Sequence, residues 1–206
     1  MQISRRLTNL QTLLAIPLAL LAGCGPSQAV PSYSPSAAGS AAIEAFDKNG
    51  SGTLDADEAA RSPGLQSAFG RIDADKDGSL SEGEIADRIA FYRESQIGLM
   101  PLQCTVTLNG MPAEGAEIKL VPEAFLSETL SPATGIAAAS GIAAPRVVGS
   151  DIPAVPCGLY RVEISWKKDG QEAIPPRYNA ETTLGVEVAP DVPNLERGVR
   201  FDLTIE

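Results

Sequence analysis

Two twelve-residue stretches, Asp47–Glu58 (DKNGSGTLDADE) and Asp73–Glu84 (DADKDGSLSEGE), constrain this chain more than any other part of it. Each puts oxygen-bearing groups at alternate positions, a glycine at the sixth, and a glutamate at the end. A hard cation such as Ca2+ takes about six to eight oxygen ligands, and a tight loop can supply them in this way. The first stretch offers Asp47, Asn49, Ser51, the backbone carbonyl of Thr53 and Glu58. The second offers Asp73, Asp75, Asp77, the carbonyl of Ser79 and Glu84. Gly52 and Gly78 stand where the chain bends sharply and needs a positive φ. Leu54 and Leu80 occupy position eight, where two such loops can meet in a short β-bridge.

Both loops resemble the EF-hand at every ligand position, and two matches in tandem are far more specific than one. The resemblance implies two Ca2+ sites. The first loop departs slightly, with Ser51 where Asp or Asn is usual. Asp55 and Ser81 hold position nine, where a side chain acts more often through water. The alternative is a pair of degenerate loops that fold without metal.

The flanking residues fit entering and exiting helices. Ile43 and Phe46 precede the first loop at helical spacing, and Phe69 and Ile72 precede the second. Ile85, Ile89 and Tyr92 give the last helix an apolar face, and all seven positions read as core. Only fourteen residues separate Glu58 from Asp73, fewer than in a usual EF-hand pair, so the first exiting helix must be truncated. Ser62-Pro63-Gly64 marks the break, with Ser62 as N-cap and Pro63 at the first helical position. A pair this short looks structural or buffering, which argues against an opening target groove.

The N-terminus reads as an export signal over residues 1–23. Arg5 and Arg6 precede the apolar run Leu10–Ala22, which is short and interrupted for a membrane span. It ends Leu21-Ala22-Gly23-Cys24, which resembles the lipobox of bacterial lipoproteins. That resemblance implies lipidation of Cys24 and a membrane anchor, in the periplasm or at the cell surface. An ordinary cleaved signal and an uncleaved anchor are the alternatives. Residues 24–40, rich in Ser, Pro, Ala and Gly and without charge, read as a flexible tether. Of three cysteines, lipidation of Cys24 leaves Cys104 and Cys157. In an oxidising compartment they are expected to form a disulfide; two buried thiols are the alternative.

From about Pro101 the period of the pattern falls to two. Gln103–Leu108 alternates and runs into Asn109-Gly110, a strong hairpin turn. Ala116–Val121, Leu159–Trp166, Thr182–Val188 and Val199–Ile205 supply further strands, and residues 123–145 form a long insertion, either a mobile loop or short irregular strands. The stretches Val106–Ala116, Cys157–Val162, Ile174–Asn179 and Thr182–Leu184 resemble a carboxypeptidase-regulatory-like, prealbumin-like β-sandwich of the kind carried by small planctomycete lipoproteins. That domain is non-catalytic in its family, which implies display or interaction. Trp166, Arg177 and Tyr178 either form an exposed patch or, more commonly, pack on the sandwich. The expected architecture is multidomain α + β: an EF-hand pair over residues 41–97 and an all-β, prealbumin- or Ig-like sandwich over 101–206.

Function follows from what is present and absent. The formal charge is −10, and the two loops hold nine acids against two lysines, an excess of seven. Those charges repel one another unless a cation is bound. An acidic chain without a basic patch argues against nucleic-acid binding. Histidine is absent, which removes the commonest general base, and no Gly-x-Ser-x-Gly elbow exists. The reading is a calcium-binding, lipid-anchored, non-enzymatic envelope protein whose sandwich meets a protein or glycan partner. The alternative is a dockerin-like assembly module, although dockerin loops usually end in Asp where Glu58 and Glu84 stand here.

Overall fold

The computed structural model describes residues 29–205. Helix α1 (Pro35–Phe46) enters the first loop, strand β1 (Thr53–Asp55) lies within it, and α2 (Ala56–Ala59) leaves it. Helix α3 (Pro63–Ile72), strand β2 (Ser79–Ser81) and α4 (Glu82–Glu94) repeat the plan. The α3 start follows the sequence: the Ser62 hydroxyl accepts from Leu65 N–H, and Pro63 sits where a missing N–H costs nothing. With Ser62 buried at that start, α2 is held to a single turn. β1 and β2 pair antiparallel with Leu54 opposite Leu80, and both leucines are fully buried.

A β-rich region follows, giving an α + β chain. Its strands are β3 (Met100–Pro101), β4 (Cys104–Leu108), β5 (Met111–Pro112), β6 (Glu117–Pro122), β7 (Ala133–Ile136), β8 (Ile142–Ala143), β9 (Arg146–Val147) and β10 (Ala154–Val155). Then come β11 (Gly158–Ser165), β12 (Lys167–Lys168), β13 (Gln171–Glu172), β14 (Gly185–Val188) and β15 (Val199–Leu203). One antiparallel sheet has the order β14-β11-β6-β7-β9. The other has β4 at its centre: β15 runs parallel on one side, and β5 and β8 pair with opposite ends of β4. Asn109 and Gly110 turn β4 into β5 with φ of 49° and 81°, as an Asn-Gly hairpin requires. The insertion 123–145 holds a 3-10 turn (Ala124–Leu126) and the short strands β7 and β8, joined by irregular chain, which fits the second of its two expected forms. Trp166 and Tyr178 pack partly buried against the core, and the Trp166 indole N–H donates to the Glu114 carbonyl at 2.8 Å.

Three expectations need correction. The tether does not extend to residue 40. Pro35 starts α1, whose Ala38 and Ala42 are buried, and the Tyr33 hydroxyl donates to the Cys157 carbonyl at 2.5 Å. The small residues that looked like a spacer let α1 lie close against α4. Second, the helical and β parts share one continuous hydrophobic core. Third, Cys104 and Cys157 are buried thiols that are not bridged to each other. Cys104 lies in β4, between Val199 and Ala143. Cys157 precedes β11 of the other sheet, and its Sγ faces Met100 Sδ at 3.7 Å. Burial raises both thiols, Cys104 to about 12 and Cys157 in the same direction, so neither forms thiolate readily. The leader and Cys24 lie outside the described residues.

The contact between the helices and the sheet is close and charged. α3 lies on β14 and β11, and at Gly185 a Cβ would collide with the Pro63 carbonyl, so only glycine fits. Glu123, at the end of β6, accepts from the Gly64 N–H at 2.6 Å and so caps α3 from the sheet. At the far end Glu187 of β14, with no exposed side-chain surface, meets Arg71 Nε and Arg88 Nε at 2.5 Å each. The Tyr92 hydroxyl donates to the same carboxylate at 2.6 Å, and Arg88 also forms a two-pronged pair with Asp191 at 2.8 Å.

Candidate metal centre

The two loops are built alike at the backbone and differ in their oxygens. In each, the sixth residue is in the left-handed region, with φ of 83° at Gly52 and 87° at Gly78. That turn aims the loop's N–H groups back at the first aspartate. Asp47 accepts from Gly50 and Gly52 at 2.8 and 2.9 Å, and from Ser51 at 3.2 Å. These bonds, led by that from Gly52, hold the Asp47 carboxyl below the usual range. Asp73 accepts from Gly78 at 3.2 Å.

The closing glutamates have a second task. Glu58 and Glu84 are the third residues of α2 and α4, and each completes a capping box. Asp55 accepts from Asp57 and Glu58 N–H, while Glu58 Oε2 accepts from Asp55 N–H at 3.2 Å. Ser81 accepts from Glu84 N–H, while Glu84 Oε2 accepts from the N–H and hydroxyl of Ser81. Asp55 and Ser81 are thus helix caps, a role that their loop position alone does not reveal. Burial pushes the Glu84 carboxyl up, but the bonds from Ser81 and Ala74 outweigh it and the net shift is downward.

The remaining residues separate the loops. In the first, Glu58 is buried and its Oε1 accepts from Lys48 and Asn49 N–H at 2.8 and 3.1 Å. Asn49 accepts from Ser51 N–H, and the Ser51 hydroxyl donates to the Thr53 carbonyl at 3.0 Å. Only two of its ligand candidates, Asp47 and Glu58, are carboxylates. In the second, carboxylate oxygens of Asp73, Asp75 and Glu84 lie within 4.8 Å of one another. Asp77 is turned toward Ser79, accepting from its hydroxyl and N–H at 2.8 Å each, which lowers the Asp77 carboxyl.

Asp73 Oδ1 decides the fit. It is buried and has no hydrogen-bond partner among the described residues. A buried unsatisfied polar atom costs about 1–3 kcal/mol, and more when charged. A Ca2+ held by Asp73, Asp75 and Glu84 would satisfy it, with Asp77 and the Ser79 carbonyl within the same loop. All five oxygen donors are hard, which suits Ca2+ rather than a thiolate- or imidazole-seeking metal.

The sequence did not reveal the Glu187 cluster, because Arg71 and Arg88 meet it across 116 and 99 residues of chain. The one hint is a glutamate between two valines in an otherwise apolar strand. Among known proteins, no curated sequence and no solved structure matches the chain. The family model of the EF hand matches residues 41–58 and 65–87, which contain both loops and point to calcium binding there.

Proposed function

We propose that this protein is a calcium-binding, lipid-anchored, non-enzymatic component of a bacterial cell envelope. Both loops take Ca2+: Asp47, Asn49, Ser51, Thr53 and Glu58 in the first, and Asp73, Asp75, Asp77, Ser79 and Glu84 in the second. The observation that carries this reading is the second loop's cluster of Asp73, Asp75 and Glu84 carboxylates, together with an Asp73 Oδ1 that has no partner among the described residues. Calcium relieves the repulsion there and stiffens helices that pack directly on the β-rich region. That region is read as a prealbumin-like sandwich offering a surface to a protein or glycan partner. Anchoring rests on the lipobox-like Leu21–Cys24.

The dockerin-like alternative is less well supported, because α3 already spends its apolar face on β11 and β14. The deciding experiment is calorimetric titration of the protein with Ca2+ beside thermal melting. Binding near two ions per chain and a rise in Tm support the proposal. A protein that melts identically in millimolar Ca2+ and in chelator, and carries no metal, would remove it. Replacement Cys24→Ser should release the protein from membranes into the soluble fraction; retention on membranes would remove the anchor.

A further inference from the structure

The second loop differs from the first in what holds its helices. Arg71 stands two residues before the ligand candidate Asp73, at the end of α3. Arg88 stands four residues after Glu84, one turn along α4 and on the same face. Both guanidiniums end on one carboxylate, Glu187 of β14, at 2.5 Å each. Tyr92, one further turn along α4, donates to it as well. The carboxylate is fully buried, and Asp191 grips the other edge of Arg88. Burial works against the Arg88 charge, but Asp191 and Glu187 outweigh it and raise its pKa. No corresponding tie from the sheet reaches the helices of the first loop among the described ion pairs.

The geometry points to Glu187 as a positioning residue for the second calcium loop: by pairing Arg71 and Arg88 together, it fixes α3 and α4 at the spacing that brings Asp73 and Glu84 onto one ion. The inference rests on the calcium reading above and adds to it a residue more than a hundred positions downstream of the loop. Asp73 caps the C-terminus of α3 and Glu84 lies in the first turn of α4, so their separation depends on the two helices and not on the loop alone. Two ion pairs to one buried carboxylate define that separation, since a buried pair tolerates little change in geometry. The arginines also line, with Ile72, Ala74, Glu84 and Asp87, a crevice of about 180 Å3 beside the loop. By linkage, whatever Glu187 adds to calcium affinity, calcium adds to the docking of these helices on the sheet.

The test is calorimetric Ca2+ titration of the full chain carrying Glu58→Gln, which silences the first loop and leaves the second to be read alone. Adding Glu187→Gln, which keeps shape and removes charge, should weaken binding by about 5- to 150-fold, the usual span of coupling between sites. Adding Arg71→Gln instead should also weaken it. That sign is diagnostic, because removing a cation near the loop would tighten binding if only charge mattered. Unchanged affinity in folded Glu187→Gln, or tighter binding in Arg71→Gln, overturns the inference. Should Glu187→Gln fail to fold, Arg71→Gln decides by itself. Absence of Ca2+ binding in the unsubstituted chain overturns the calcium reading and this inference together. Binding there with both variants unaltered overturns the positioning role only.

Discussion

The two loops share a spacing and diverge in charge and in support. The first has two carboxylates among its ligand positions, a hydroxyl already bonded to a loop carbonyl, and an exit helix of a single turn. The second has four, three of them clustered, and both of its helices are tied to a sheet residue. An EF-hand loop read as a twelve-residue string treats these as equivalents. In the structure the oxygens are local, while the residue that ties the two helices of the second loop, Glu187, lies far along the chain.

Four measurements break or sharpen that contrast. The largest effect is expected from Glu187→Ala, which leaves the buried Arg88 guanidinium and the partly exposed Arg71 guanidinium without their shared carboxylate. Breaking such a network costs about 3–5 kcal/mol, readable by urea unfolding in chelator. A loss below about 1 kcal/mol would place the clamp among weak surface pairs. Next, Glu84→Gln should remove more of the calcium-induced stabilisation than Glu58→Gln. One site saturated at a hundred times its Kd contributes about 2.7 kcal/mol. An equal or larger loss from Glu58→Gln, seen as a Tm difference with and without Ca2+, would reverse the ranking of the loops. The caps come third. Asp55→Ala and Ser81→Ala should each cost about 1 kcal/mol in chelator, with Asp55 the larger because it accepts from two N–H groups and Ser81 from one.

The smallest effect concerns pH. Burial raises the Glu123 carboxyl despite the opposing bonds from Gly64 and Ser62. A raised acid favours folding below its unfolded pKa, and that contribution is lost as pH rises through the folded value. Glu123→Gln keeps an acceptor for Gly64 and removes the titration. The variant should therefore equal the parent in acid and gain on it toward neutral pH. A variant that equals the parent in acid but falls below it toward neutral pH would show that the charge on the α3 N-terminus matters more than its desolvation.

Much of the helical part was legible in the residues. The ligand spacing, the Leu54–Leu80 bridge, the truncated α2 and the Ser62 cap are local consequences of residue type. So is the Asn109-Gly110 hairpin. What escaped depends on distant partners. Pro35–Ser40 carries no apolar stripe that distinguishes a helix from a spacer; Ala38 and Gly39 are buried because α4 lies beside them. Cysteine parity suggested a bridge, yet Cys104 lies within a strand of one sheet and Cys157 just before a strand of the other. The ligand loops could be recognised in isolation, while the support of the second loop required the position of β14.

The parallel pairing of β4 with β15 sets an order of events during synthesis. Cys104 aligns with Val199 and Leu108 with Leu203, so one flank of β4 finds its neighbour only after about ninety further residues have emerged. Until then that flank is an open edge carrying Val106 and Leu108, the kind of surface that recruits strands from other molecules. Because distant pairings form slowly, a nascent chain halted before Val199 would be the species most prone to clump.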